Sequence, residues 1–137
     1  MNKTKELVKL KKKAYKLWTL KVREIGVCEL CGKKYKELNE KGKPTILQAH
    51  HIMDRYFYHR LSWDLQNGIC LCSICHKFSA KSAHRGSIKF SEWFRNKYPE
   101  KYKYLLQVCD EPFEITIENM TKTIEDLSLH LVKSVDK

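Results

Sequence analysis

The stretch that decides the fold runs from Gln48 to His76 and reads QAHHIMDRYFYHRLSWDLQNGICLCSICH. It begins with two adjacent histidines, His50 and His51, continues to Asn67, and ends with a Cys-x-x-Cys pair that His76 follows directly. Cysteine and histidine at this density indicate metal sites, because thiolate and imidazole are ligands that zinc prefers. An asparagine between the histidine pair and the distal histidine indicates catalysis as well. The rest of the chain is therefore interpreted as support for this segment.

The charge of the chain indicates a polyanionic partner. The 137 residues carry a formal net charge of +11. Lys and Arg outnumber acidic residues by nine to two in residues 1–26 and by 15 to seven in 27–108, but are outnumbered by seven to three in 109–137. This balance favours nucleic acid over a merely solvated lysine-rich surface. The length predicts one compact unit, organised as a basic N-terminal helix (1–26), a core (27–108) and a C-terminal extension (109–137).

The N terminus carries no pattern of a secretory signal, since no apolar stretch follows its lysines. No run of residues approaches the length of a membrane span. A cytoplasmic protein is therefore expected. In such a reducing compartment, pairs of cysteines serve metals more often than disulfides.

Hydrophobic periodicity predicts helices on both sides of the central segment. Residues 3–25 place apolar side chains at helical spacing and end at Gly26, with lysines over much of the remaining surface. A second helix is predicted over 88–98, with a shorter one after Pro99. Between them the sequence predicts strands over 45–49 and 69–71, a loop or hairpin over 33–44, an aromatic and basic loop over 53–66, a turn at Asn67-Gly68, and a helix starting near His76.

The C-terminal extension differs from the rest. Glu114 to Glu118 alternate polar and apolar residues as a strand does, and residues 119–133 have helical periodicity. We expect this extension to pack on the body or to mediate association.

Two Cys-x-x-Cys pairs predict a structural zinc site. Cys28 and Cys31 form the first, closed by a glycine that tolerates a tight turn, and Cys72 and Cys75 form the second. The 40 residues between the pairs exceed the roughly 15–20 of a zinc ribbon. A redox dithiol and two separate knuckles are the alternatives. The two remaining thiols are expected to be a small buried side chain and a bystander, at Cys70 and Cys109 respectively.

These residues resemble the HNH endonucleases, through AHHI at 49–52, NGI at 67–69 and LCSICH at 71–76. The phrases SWDLQNGICLC (62–72) and SIKFSEWF (87–94), with a tryptophan-bearing basic helix before the first cysteine pair, resemble small phage-encoded members. The resemblance spans about residues 14–108. It implies an α+β fold with a zinc-stapled ββα-metal core between N- and C-terminal helices. It also implies metal-dependent cleavage of DNA, by nicking or a double-strand cut, in the host cytoplasm if the gene is a phage's.

The resemblance also implies roles for individual residues. His51 would be the general base, since an imidazole can take a proton from water near neutral pH. His50 and His76 would hold a divalent ion, and Asn67 would orient the base or hold the loop that positions it. Imidazole ligands favour Mn²⁺, Ni²⁺, Co²⁺ or Zn²⁺ over Mg²⁺. Because adjacent strand residues face opposite ways, the two neighbouring histidines can share a site only where the strand ends or distorts.

Other interpretations of these histidines remain open. His50 could be a packed or capping residue, and His76 a helix cap or a fifth candidate for the zinc. His84 could be an additional metal ligand, a phosphate contact or a plain surface residue. His59 and His130 are expected at the surface.

The predicted DNA contacts are basic residues of the first helix and of the aromatic loop. A solvated lysine face is the alternative for the helix. The alternative function is a non-catalytic, zinc-stabilised DNA-binding module accessory to phage recombination or packaging. The expected contacts are Lys11, Lys12, Lys13, Arg55 and Arg60.

Overall fold

The computed structural model describes residues 2–78 and 82–135, without the side chains of Phe78 and of 130–135. The expected position of the His130 side chain therefore lies outside the described residues. The expected α+β class is confirmed by four helices and one two-stranded sheet among the described residues. In chain order these are α1 (Lys3–Arg23), β1 (Leu47–His51), β2 (Gly68–Cys72), α2 (Ser87–Lys97), α3 (Pro99–Val108) and α4 (Ile117–Val135). None of the described helices combines the length and apolar character that crossing a membrane requires.

Strands β1 and β2 form an antiparallel hairpin at the centre of the fold. His50 pairs with Ile69 and His51 with Gly68, so both histidines end the first strand. The strand begins two residues later than predicted and extends to include both of them. All five residues of β2 are buried, because elements cover both of its faces.

Short helical turns connect the hairpin to its surroundings. Two 3₁₀ turns, His59–Leu61 and Leu65–Asn67, occupy the predicted aromatic loop. The prediction that Asn67 and Gly68 together form a turn is wrong. Asn67 is the last residue of a 3₁₀ turn, and Gly68 is already the first residue of β2, with φ −117°. The helix expected near His76 is a single π-helical turn, Ile74–Phe78.

Helix α1 packs directly on the hairpin. The Asn2 side chain caps its start by accepting a hydrogen bond from the Lys5 N–H at 2.9 Å. A Cβ at Gly68 would lie 2.4 Å from Val22 Cγ2 and 2.9 Å from Trp18 Cζ2. Glycine at this position therefore serves close approach between a helix and a strand.

The C-terminal extension packs on α1, which confirms one of its two expected roles. Met120, Ile124 and Leu127 of α4 form one apolar cluster with Ala14 and Trp18 of α1. The strand predicted from Glu114 to Glu118 is wrong. Its alternation reflects Phe113 and Ile115 packing against that cluster, and Thr116 Oγ1 then accepts from the Asn119 N–H at 3.1 Å at the start of α4.

Adding a methyl group at Gly68 should separate α1 from the hairpin. We expect Gly68→Ala to lower the free energy of unfolding by about 1–3 kcal/mol, the usual cost of overpacking, measured by denaturant unfolding of the zinc-loaded protein. Val22→Ala removes the nearer of the two clashing atoms. Gly68→Ala should therefore cost less in a Val22→Ala background, and equal costs in both backgrounds would contradict this packing.

Candidate active site

The four predicted zinc cysteines lie in one cluster. Their sulfur atoms are all within 4.8 Å of one another, and Cys31 Sγ lies 3.8 Å from Cys72 Sγ. A Zn–S bond of about 2.3 Å places tetrahedral sulfurs roughly 3.8 Å apart. The cluster therefore fits one shared structural zinc and disfavours two separate knuckles. It joins the segment after α1 to the end of β2.

The local backbone shapes both cysteine pairs in the same way. Cys31 N–H points to Cys28 Sγ, and Cys75 N–H points to Cys72 Sγ, each at 3.5 Å. Burial alone would raise the pKa of the Cys28 thiol, but backbone hydrogen bonds outweigh it and lower that pKa. Burial and neighbouring thiolates raise the pKa of Cys75. A bound cation would lower the pKa of Cys75 again, since metal-bound thiols are deprotonated.

Glu29, which the sequence did not single out, ties the first cysteine pair to the rest of the core. Its carboxylate accepts from the Cys70 N–H at 2.7 Å and from the Tyr98 hydroxyl at 2.8 Å. Its carbonyl accepts from Lys97 Nζ at 2.9 Å. Cys70 is fully buried, as expected, and Cys109 contacts the Leu106 carbonyl at the end of α3 instead.

Three histidines form a second cluster. Ring nitrogens of His50, His76 and His84 all lie within 4.8 Å of one another. His76 Nε2 is 3.1 Å from His50 Nδ1 and 3.0 Å from His84 Nε2. Of the three interpretations of His84, this placement favours the metal ligand. Sequence reasoning had favoured a plain surface histidine, because His84 lies in a polar segment without periodicity.

Gln48 fixes the tautomer of His76. Its amide oxygen can only accept, so His76 Nδ1, at 2.7 Å, carries the proton and Nε2 presents its lone pair to the cluster. A single lone pair accepts one well-directed hydrogen bond, so His50 and His84 cannot both be satisfied by it. At least one pair of nitrogens therefore meets without a hydrogen between them. A divalent ion among the three imidazoles relieves that repulsion, so the donor set fits a transition metal.

The surroundings of His50 and His76 keep these two rings neutral. Burial, reinforced by the neighbouring histidines, lowers the pKa of His50 to about 3. Burial and the charge of His84 lower the pKa of His76 to about 4. Both rings are therefore unprotonated at neutral pH, which is the form that binds metals.

His51 lies against a different element from its neighbour. Its ring stacks on Trp18 of α1, with centroids 3.8 Å apart and planes 6° from parallel. Its Nε2 donates to the Ser62 carbonyl at 2.9 Å, which leaves Nδ1 as the nitrogen with a free lone pair. Burial lowers the pKa of His51, so this lone pair is present at neutral pH.

Asn67 is fully buried and holds the loop between the strands. Its Nδ2 donates to the carbonyls of Met53 and Leu61 at 3.0 and 3.1 Å, and its Oδ1 accepts from the Met53 N–H at 2.8 Å. Of its two expected roles, these bonds favour holding the loop over direct contact with the base. The held loop carries the Ser62 carbonyl that orients His51.

The predicted DNA-contact residues separate into different environments. Lys11, Lys12 and Arg55 line one cavity between α1 and the aromatic loop. Lys13 is also exposed but points about 100° around the helix from Lys12, given 3.6 residues per turn. Arg60 forms ion pairs with Asp64 and Glu111 at 3.2 and 3.3 Å.

Comparison with known proteins finds a similarity in the central segment. Residues 28–79 match the family model described as HNH endonuclease. The matched segment contains both cysteine pairs and runs from the first knuckle past His76. The resemblance drawn from the sequence is thereby confirmed over this segment. Comparison with curated proteins and with solved structures gave no match.

Loss of one cysteine should reveal whether a single zinc holds the fold. We expect the purified protein to contain about one tightly bound zinc per chain, and Cys72→Ser to be insoluble or molten, because structural zinc contributes roughly 10–16 kcal/mol of apparent binding energy. Cys109→Ser is the matched control and should retain zinc and cooperative unfolding. A soluble Cys72→Ser protein that unfolds cooperatively without zinc would exclude the shared site.

Removing the Gln48 oxygen that accepts the hydrogen bond from His76 should weaken metal binding at the histidine cluster. We expect Gln48→Leu to lower the affinity of the histidine cluster for Mn²⁺ or Co²⁺ by about 10- to 100-fold, as loss of an orienting partner usually does. Calorimetric titration of the zinc-loaded protein measures this. Gln66→Leu is the control, because Gln66 is exposed on the 3₁₀ turn Leu65–Asn67. Equal affinities for the two variants would mean that Gln48 does not orient the ring.

Proposed function

We propose that this protein is a metal-dependent endonuclease that hydrolyses DNA phosphodiester bonds. The observation that carries the proposal is the pairing of two features at the end of β1. One is a cluster of three imidazoles suited to a divalent ion, and the other is His51, a neutral histidine with one unengaged nitrogen. Both lie in or beside the segment that matches the HNH endonucleases.

The metal and the protein have separate tasks in this proposal. A divalent ion held by His50, His76 and His84 would offset negative charge on the phosphoryl and leaving oxygens. We assign the proton transfer to His51. Its Nδ1 accepts a proton from the attacking water, and the resulting imidazolium keeps its hydrogen bond to the Ser62 carbonyl. The Trp18 ring stacked on His51 favours that cation and fixes the plane of the imidazole.

Asn67 and Ser62 act as positioning residues. The buried amide of Asn67 fixes the ends of the loop through Met53 and Leu61, and this loop places the Ser62 carbonyl. That carbonyl selects the His51 tautomer with the free lone pair on Nδ1. A general base is useful only when its lone pair points at the reacting water, so these contacts are part of the proposed mechanism.

The alternative is a non-catalytic DNA-binding module with a structural zinc. Both functions use the cysteine cluster and a basic surface. Only the nuclease requires a second, imidazole metal site whose donors repel one another without an ion. This difference is the reason that we favour catalysis.

Two histidine variants should separate the base from a metal ligand. We expect His51→Ala to lower the rate of plasmid cleavage by roughly 10²- to 10⁴-fold, the usual contribution of a positioned base. His76→Ala should lose activity through weaker metal binding, so high Mn²⁺ or Ni²⁺ should restore part of it. Added metal should leave the His51→Ala rate unchanged.

Both variants should keep their zinc and their affinity for DNA, which controls for misfolding. Wild-type cleavage by His51→Ala would disprove the assignment of the base. A wild-type protein that cleaves nothing with any divalent ion would instead support the binding module.

A further inference from the structure

A cavity of about 290 Å³ lies between α1 and the aromatic loop. Its lining combines cationic and aromatic side chains and belongs to neither metal cluster. We infer that it is a subsite for one unpaired nucleotide flanking the bond that is cut. This inference rests on the proposed nuclease function and deepens it. The residues on which it depends are Lys11, Lys12, Tyr15, Arg55 and Tyr56.

Two residues that line the cavity also lie against the proposed base. The Tyr15 ring is nearly parallel to that of His51, with centroids 6.2 Å apart and planes 15° apart. Ser62, another wall residue, accepts from His51 through its carbonyl and donates through its hydroxyl to the Arg55 carbonyl at 2.8 Å. A nucleotide in this cavity would therefore be separated from the proposed base by a single layer of side chains.

Exposed planar groups give the cavity a surface for stacking. The Arg55 guanidinium carbon lies 4.4 Å from the Tyr15 ring centroid and 4.9 Å from that of Tyr56. The Tyr15 and Tyr56 residues are 38% and 70% exposed, so these rings are not committed to the core. Nucleobases stack on such aromatic and guanidinium planes when they are not paired in a helix.

The charge of the cavity suits a phosphate. Among the described residues, no ion pair involves Lys11, Lys12 or Arg55. Asp54, the acidic neighbour of Arg55 in sequence, instead accepts hydrogen bonds from the backbone of Tyr56 and Phe57. Uncompensated cations beside aromatic rings are the combination that binds single-stranded nucleic acid.

The size of the cavity limits what can enter it. Its volume of about 290 Å³ lies just below the range of small-molecule pockets, which span about 300–1,000 Å³. This volume suits one nucleotide rather than a duplex. A paired base also buries its faces in the stack, whereas an unpaired base can present a face to Tyr56. The substrate class is therefore DNA with an unpaired nucleotide beside the cleavage position.

Equilibrium binding to three DNA hairpins tests this inference. The three hairpins share one stem sequence. The first is fully paired, the second carries one unpaired thymine, and the third carries one unpaired abasic residue. Fluorescence anisotropy of the zinc-loaded full chain without added divalent ion measures Kd, so cleavage does not enter the result. The variants are Tyr56→Ala and Lys12→Gln.

The chain offers a matched control for each variant. Tyr35→Ala removes another exposed tyrosine with a cation over its ring, since Lys36 Nζ lies 5.4 Å from the Tyr35 centroid. Lys41→Gln makes the same charge change at an exposed lysine that does not line the cavity.

We expect the wild type to prefer the unpaired thymine over the abasic hairpin. Tyr56→Ala should weaken binding of the thymine hairpin by roughly five- to 150-fold, the range of base–aromatic stacking, and leave the abasic hairpin nearly unchanged. Lys12→Gln should weaken all three complexes and reduce the slope of log K against log salt by about 0.9. Both controls should behave as the wild type.

Two results would overturn the inference: a wild type without preference for the thymine, or equal effects of Tyr56→Ala on the thymine and abasic hairpins. Each is distinguishable from failure of the proposed nuclease. A thymine preference without cleavage under any metal would leave the subsite in place and remove the enzyme. Cleavage that depends on His51 without a thymine preference would do the opposite.

Discussion

The cysteine cluster is the constraint on which the rest of this structure depends. A two-stranded hairpin is marginally stable alone in water, and this fold has no third strand among its described residues. The four sulfurs fasten the segment that follows α1 to the end of β2 and to the π-helical turn. His76 lies one residue beyond Cys75, so the same fastening fixes where its imidazole meets that of His50. Zinc at this cluster would therefore stabilise the fold and place a ligand of the second metal together.

Helix α1 is the second element that stabilises the hairpin. It covers the face of the hairpin away from the histidine cluster, and Gly68 lets it approach the backbone. Trp18 joins three parts of the fold, because it packs at Gly68, donates through its indole N–H to the Asp64 carbonyl at 2.9 Å, and stacks on His51. A single buried side chain thus links helix packing to the orientation of the proposed base. Helix α4 packs on α1 through the same apolar cluster, which contains both Ala14 and Trp18.

The sequence predicted which cysteines come together better than it predicted the non-local contacts. The two cysteine pairs and His50 could be identified because thiolates and imidazoles in such spacings have few other uses. Gln48 was missed because a glutamine has no distinctive chemistry, although its position two residues before His50 places both on one strand face. The partners of Arg60 and the segment around Ile115 were missed for another reason. An ion pair with Glu111, and an extended segment that packs on a helix without pairing, depend on distant parts of the chain.

The alternation of side chains along β1 places the two adjacent histidines on opposite faces of the sheet. Successive side chains of β1 face opposite ways, so Gln48 and His50 reach the imidazole cluster while His51 reaches Trp18 of α1. Both side chains belong to the last two residues of β1, so in the proposed function a phosphate at this strand end would meet the metal cluster on one side and His51 on the other. A site built across a strand end in this way can bind metal on one face and DNA on the other. The residues that hold the ion and those that contact the nucleotide then need not compete for the same surface.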